Sequence, residues 1–123
     1  MANGKKVLII DDDQSFVWIL SQSLHNDGFS ILTAENGQAG LKIIEEEKPD
    51  LILLDIMMPV MDGIEMAKNL KKKSISTPVI FLTNMSDADH MSAALEIFPA
   101  DYILKSDVPV NKIASQIRAK LGV

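Results

Sequence analysis

No cysteine occurs in this 123-residue chain, which excludes a disulfide framework, a thiolate metal site and a cysteine nucleophile, and fits a reducing cytoplasm. Histidine is scarce as well: His25 and His90 stand far apart in helical segments, match no metal-ligand spacing, and are expected to be solvated. Basic charge is in deficit, with 12 Lys and Arg against 17 Asp and Glu and a net charge of -5. That is the wrong sign for gripping nucleic acid by its phosphates, so no direct nucleic-acid contact is expected. Long apolar runs are absent from the start of the chain, where Met1 to Lys6 lead into only Val7 to Ile10 before Asp11. This is too short for a signal peptide or a membrane span, so no membrane association and a cytoplasmic location are expected. Repeats, low-complexity tracts and linkers are also missing.

What remains is the composition of one ordinary soluble domain, 47% apolar and 24% charged. Five short apolar runs recur: Val7 to Ile10, Ser30 to Ala34, Leu51 to Asp55, Val79 to Thr83 and Tyr102 to Lys105. The first, third and fourth are continuously apolar, as strands covered on both faces of a parallel sheet are. Between and after them lie helical stripes: Phe16, Leu20 and Leu24; Leu41 and Ile44; Met66, Ala67 and Leu70; Ile113, Ile117 and Leu121. Asp27-Gly28 and Lys48-Pro49-Asp50 end the first two helices, Asp87 can cap the fourth, and Pro109 opens the fifth. The pattern predicts an α/β fold, (βα)5, doubly wound.

Ligands of open parallel sheets sit at the carboxyl ends of the strands. Those ends carry Asp11-Asp12-Asp13, Ala34-Glu35, Asp55, Thr83-Asn84 and Lys105. Converging carboxylates repel one another unless a cation sits among them, and an all-oxygen set favours Mg2+ or Mn2+ over zinc. With a hydroxyl and an ammonium beside the metal, the set describes phosphoryl chemistry in which a carboxylate attacks. Asp13 reads better as the cap of the first helix than as a metal ligand. Gly63 is read as supplying a positive φ near the third helix, and Pro59 as shaping the loop before it. Lys71-Lys72-Lys73 ends the third helix, where cations complement its dipole. Trp18 falls on the side of the first helix opposite Leu20, facing solvent, where a docking role is in balance with loose surface packing.

Leu8-Ile9-Ile10-Asp11-Asp12-Asp13, the stretch Asp50 to Gly63 with Asp55-Ile56-Met57-Met58-Pro59-Val60-Met61-Asp62-Gly63, Thr83 and Lys105 resemble the receiver domain of two-component response regulators, chemotaxis receivers included. The resemblance spans nearly the whole chain. It implies a flavodoxin-like five-stranded sheet in the order 2-1-3-4-5, and one receiver domain over residues 1–123 without an output domain. It implies a switch, not a classical enzyme, that catalyses its own phosphorylation and dephosphorylation. Asp55 would accept a phosphoryl group from a histidine kinase or histidine phosphotransfer protein. Asp11, Asp12, Asp55 and the Met57 carbonyl would bind Mg2+, and Thr83 and Lys105 would hold phosphoryl oxygens. Thr83 and Tyr102 would relay the change to the face of the fourth helix, fifth strand and fifth helix, for an output protein or domain, as a monomer or a phosphorylation-dependent dimer. Met57 and Met85 border the approach of water to Asp55 in this reading, which implies slow loss of the phosphoryl group.

Two features depart from the family pattern. Ser106 follows Lys105 where proline is common, so that bond is expected to be trans, and Phe98-Pro99 replaces the usual Gly-Ala after the fourth helix. A second resemblance competes. Asp11-x-Asp13-x-Ser15 is similar to the first motif of haloacid-dehalogenase-type phosphatases, with Asp11 as nucleophile, Asp13 as acid/base, and Thr83 and Lys105 as later motifs; it leaves Asp55 unexplained. Flavin binding is disfavoured by three aspartates that would repel its phosphate.

Overall fold

Buried strands separated by amphipathic helices leave one low-energy arrangement, a parallel sheet with helices on both faces. The computed structural model has that form, and it describes residues 4–58, 61–84, 88–106 and 108–123. The elements run β1 (Lys6–Ile10), α1 (Gln14–Asn26), β2 (Ser30–Ala34), α2 (Gly37–Glu47), β3 (Leu51–Asp55), α3 (Gly63–Lys72), β4 (Val79–Thr83), α4 (Ala88–Ile97), β5 (Asp101–Leu104) and α5 (Val110–Leu121). All neighbouring strands pair in parallel, in the order β2-β1-β3-β4-β5. β5 begins and ends one residue before the expected run, so Lys105 lies just past the strand, although its backbone N–H still donates to the Thr83 carbonyl at 2.8 Å.

Alternate residues of each inner strand feed opposite cores. Val7, Ile9, Leu51, Leu53, Ile80 and Leu82 pack with Val17, Leu20 and Leu24 of α1 and Ile113, Ala114 and Ile117 of α5. Leu8, Ile10, Ile52, Leu54, Val79 and Phe81 pack on the other face with Ile44, Met66, Ala67, Leu70, Met91 and Ala94 of α2, α3 and α4. The expected stripes are therefore core stripes, with Phe16, Leu41 and Leu121 only partly buried.

Helix boundaries follow local chemistry. Asp13 caps α1, its side chain accepting from the Phe16 N–H, and Gly28 after the helix has φ +94. Lys48 closes α2 in the left-handed region. Asn36 and Asp62 cap α2 and α3 with side-chain bonds to Ala39 N and Glu65 N. Gly63 corrects the sequence reading, because it does not have a positive φ. A Cβ there would lie 2.8 Å from the Ile56 Cα and 2.3 Å from Ile56 Cδ1, so glycine is required by close approach of the loop to the end of β3. No cis peptide bond occurs among the described residues, in line with a trans Lys105-Ser106 bond. The expectations for Pro59, Met85 and Asp87 fall outside the described residues.

Candidate functional site

A folded chain leaves polar side chains in its interior only where something requires them. Among the described residues, the buried polar side chains are Asp11, Asp55 and Thr83, 1%, 4% and 2% exposed. All three stand at the carboxyl end of the sheet: Asp11 directly after β1, Asp55 closing the adjacent β3, and Thr83 closing β4. The next residue along, Asp12, is exposed, and one carboxylate oxygen from each of Asp11, Asp12 and Asp55 lies within 4.8 Å of the others. Three hard oxygen donors this close suit a divalent cation such as Mg2+. Glu35, at the end of the edge strand β2, is not part of this group; it is exposed and accepts from Gln14 Nε2 at 3.4 Å.

Lys105 reaches into the cluster from the opposite side. Its Nζ donates to Asp11 Oδ2 at 2.8 Å and lies 3.8 Å from Asp55 Oδ2, with only 10% of the side chain exposed. The other Asp11 oxygen accepts from the Asp13 N–H at 2.9 Å. Asp55 Oδ1 accepts from the Met57 N–H at 3.3 Å, which ties the loop after β3 to the carboxylate that ends it. The Met57 side chain itself is 41% exposed.

The electrostatics follow from these distances. Burial is the main force on Asp55 and pushes its carboxyl up from the ordinary 3.8 to about 7; the Asp11 charge and a carboxyl–carboxyl contact with Asp11 add to the rise, while the Lys105 charge and the Met57 N–H oppose it. Burial works to lower the Lys105 ammonium, but the hydrogen bond to Asp11 and the charges of Asp55, Asp11 and Asp13 outweigh it and hold it above 10.5. The site thus keeps a lysine cation beside a carboxyl that is reluctant to ionise.

A divalent cation bound among the three carboxylates should stabilise the fold. At ten times its dissociation constant, Mg2+ adds about 1.4 kcal/mol, or about 5 °C in melting temperature for a domain of this size. Thermal denaturation across millimolar Mg2+ checks this, and Asp12→Ala should lose the gain.

Thr83 and Tyr102 are arranged differently. The Thr83 hydroxyl donates to the Asn84 carbonyl at 3.0 Å. Tyr102 on β5 turns outward and is 55% exposed. Between them lies a cavity of about 320 Å³ lined by Thr83, Met91, Leu95, Tyr102 and Leu104 among others. On α1, Trp18 is 65% and Ile19 51% exposed, placing Trp18 outward as expected. His25 is exposed and His90 partly buried. The sequence reading missed one neighbour of the site: the Phe16 ring, treated there as a core residue, lies with its centroid 4.6 Å from Lys105 Nζ.

Known proteins with this fold and sequence pattern are numerous. The family model for the response regulator receiver domain matches residues 7–118. The alkaline phosphatase synthesis transcriptional regulatory protein PhoP of Bacillus subtilis strain 168 is 37% identical over 118 residues, which cover 96% of this chain and 49% of that protein. The phosphate regulon transcriptional regulatory protein PhoB of Pseudomonas aeruginosa is 37% identical over 120 residues, 96% of this chain and 52% of that one. The chain spans about half the length of the curated relatives it matches. The solved structure of a receiver domain protein described as CheY-like, from Methanospirillum hungatei JF-1, aligns with a TM-score of 0.87 at 28% identity, covering 97% of this chain and 94% of that one. The receiver domain of the Francisella response regulator 1452 aligns with a TM-score of 0.86 at 28% identity, covering 97% and 98%.

Proposed function

This chain belongs to the response regulator receiver domain family of two-component signalling, and from that membership we propose that it is a phosphorylation-driven switch with Asp55 as phosphoacceptor. The observation that carries the proposal is the burial of Asp55 beside Asp11, within reach of Lys105, at the carboxyl end of the central strand. Neither core packing nor an ordinary surface ion pair explains two buried carboxylates and one lysine at that place.

Receiver domains of response regulators work with histidine kinases, and the donor proposed here is a phosphohistidine on a kinase or a phosphotransfer protein. An Asp55 oxygen attacks the phosphorus, the P–O bond forms as the P–N bond breaks, and the imidazole leaves with the electron pair. Asp11, Asp12, Asp55 and the Met57 carbonyl would hold Mg2+ or Mn2+, which when bound supplies positive charge against the carboxylates and the phosphoryl oxygens. Lys105 turns from Asp11 to a phosphoryl oxygen. Asp13 stays on the α1 N-terminus and keeps Asp11 oriented through its own N–H. The match is to the receiver family and not to a haloacid-dehalogenase phosphatase, so Asp11 is assigned to metal and lysine, not to attack.

Thr83 is the proposed link to the surface. Its hydroxyl exchanges the Asn84 carbonyl for a phosphoryl oxygen, and the cavity behind Tyr102 is large enough to take the ring as it turns inward. The face of α4, β5 and α5 then changes shape for an output protein or domain. Thr83→Ala should still accept a phosphoryl group but lose most of the amide chemical-shift change at Tyr102 and Ile113; the same shifts with and without the hydroxyl would remove Thr83 from the relay.

The lifetime of the signal follows from what surrounds the acyl phosphate. Met57 offers only a weakly accepting thioether near the site and no group that orients water; Met85 is assigned the same part. Met57→Asn with Met85→Glu should shorten the phosphoryl half-life about tenfold in Mg2+. An unchanged half-life would show that the methionines do not set it.

The function itself is tested by incubating the protein with acetyl phosphate and Mg2+ and weighing it intact. One phosphoryl group per native chain and none on Asp55→Asn is the expected result; no uptake by the native protein would contradict the proposal.

A further inference from the structure

Phe16 is partly buried and packs against the core cluster shared by α1, α5 and one face of the sheet. Its backbone N–H donates to the Asp13 carboxylate at 3.2 Å, and the next residue, Val17, donates its N–H to the Asp13 carbonyl at 3.0 Å in the first turn of α1. The ring packs against that cluster on one side, and the Lys105 ammonium lies over it, 4.6 Å from its centroid. The same ammonium is 2.8 Å from Asp11 and 3.8 Å from Asp55. We infer that Phe16 is a positioning residue for phosphoryl uptake, whose ring holds the Lys105 ammonium between Asp11 and Asp55 by a cation–π contact.

The inference rests on the proposed function of Asp55, and its physics is specific. A lysine stem is flexible, and its ammonium is drawn to water whenever a hydrogen-bond partner is released. During phosphoryl transfer Lys105 must give up Asp11 for a phosphoryl oxygen. A carboxylate holds it along particular N–H directions, whereas a ring face attracts the whole cation and tolerates rotation. The ring therefore keeps the ammonium in place while its hydrogen-bond partner changes. An aliphatic side chain in the same space would fill the volume and supply no attraction, leaving the lysine free to swing outward and lowering the fraction of encounters that find it aligned.

The experiment compares the rate of phosphoryl uptake from acetyl phosphate in saturating Mg2+ for the native protein, for Phe16→Leu, and for Phe16 replaced by mono-, di- and trifluorinated phenylalanine. Fluorine withdraws charge from the ring face with little change in shape, which separates attraction from packing. The rate should fall stepwise with each fluorine, by about three- to tenfold across the series, and Phe16→Leu should fall at least as far. A second readout needs no phosphorylation: the Lys105 Cε protons should be shifted upfield by the ring, and the shift should vanish in Phe16→Leu. Equal rates across the fluorinated series, or no upfield shift in the native protein, would overturn this inference alone. A native protein that takes up no phosphoryl group would overturn the proposed function and this inference with it.

Discussion

Asp55→Asn is expected to be more stable than the native protein by about 4 kcal/mol at and above about pH 7 in the absence of divalent cations. The carboxyl titrates near 3.8 when unfolded and near 7 when folded, so the folded state binds its proton more tightly. Below about pH 4 both states hold that proton and the penalty vanishes. As pH rises through the window to about 7, the unfolded chain ionises freely while the folded site resists, and native stability is lost progressively. Asparagine keeps the shape and carries no charge, so the difference between variant and native protein should be small at pH 4 and grow to its full value by neutral pH. Urea denaturation at several pH values measures it. Mg2+ should narrow the gap by stabilising the ionised native site. A difference that stays flat from pH 4 to 8 would mean that Asp55 is not under strain from burial and from Asp11.

Lys105→Met should have the opposite sign. The lysine is the cation in contact with Asp11, whose side chain is fully buried, and methionine has nearly the same length with no charge. Removing one partner of a buried pair leaves an uncompensated charge and costs about 3 kcal/mol or more. The variant should therefore melt well below the native protein without Mg2+, and part of the loss should return when Mg2+ is added, because the ion offers the carboxylates another cation. The same substitution should slow phosphoryl uptake. A variant as stable as the native protein without metal would show that the Lys105 to Asp11 contact contributes little.

The features that were legible in the sequence were those governed by local chemistry. Continuous apolar runs at Leu51 to Leu54 and Val79 to Leu82 mark strands buried on both faces, and three of the five strands, β2, β3 and β4, begin and end where the runs do. Asp13 was recognisable as a cap because a helix N-terminus needs an acceptor three residues before a free N–H. The grouping of Asp11, Asp12, Asp55 and Lys105 was legible through one topological rule, that strand ends converge in a parallel sheet. What depended on contacts distant in the chain was not legible. Gly63 reads as a turn glycine, and only its approach to Ile56 shows the actual constraint. Glu35 ends a strand like the others, but β2 is an edge and carries it away from the cluster. Phe16 has the spacing of a core residue, and nothing in its neighbourhood announces that Lys105, from near the other end of the chain, comes to rest near its face.

The central claim is that the phosphoryl group resides on Asp55, and chemical trapping tests it most directly. An aspartyl phosphate is an acyl phosphate, and borohydride reduces its carbonyl carbon to an alcohol, turning the modified aspartate into homoserine. Native protein phosphorylated in Mg2+, reduced and digested should yield homoserine at position 55, with Asp11 and Asp12 unchanged. Homoserine at position 11 or 12, or a phosphoryl group that survives reduction on another side chain, would contradict the account.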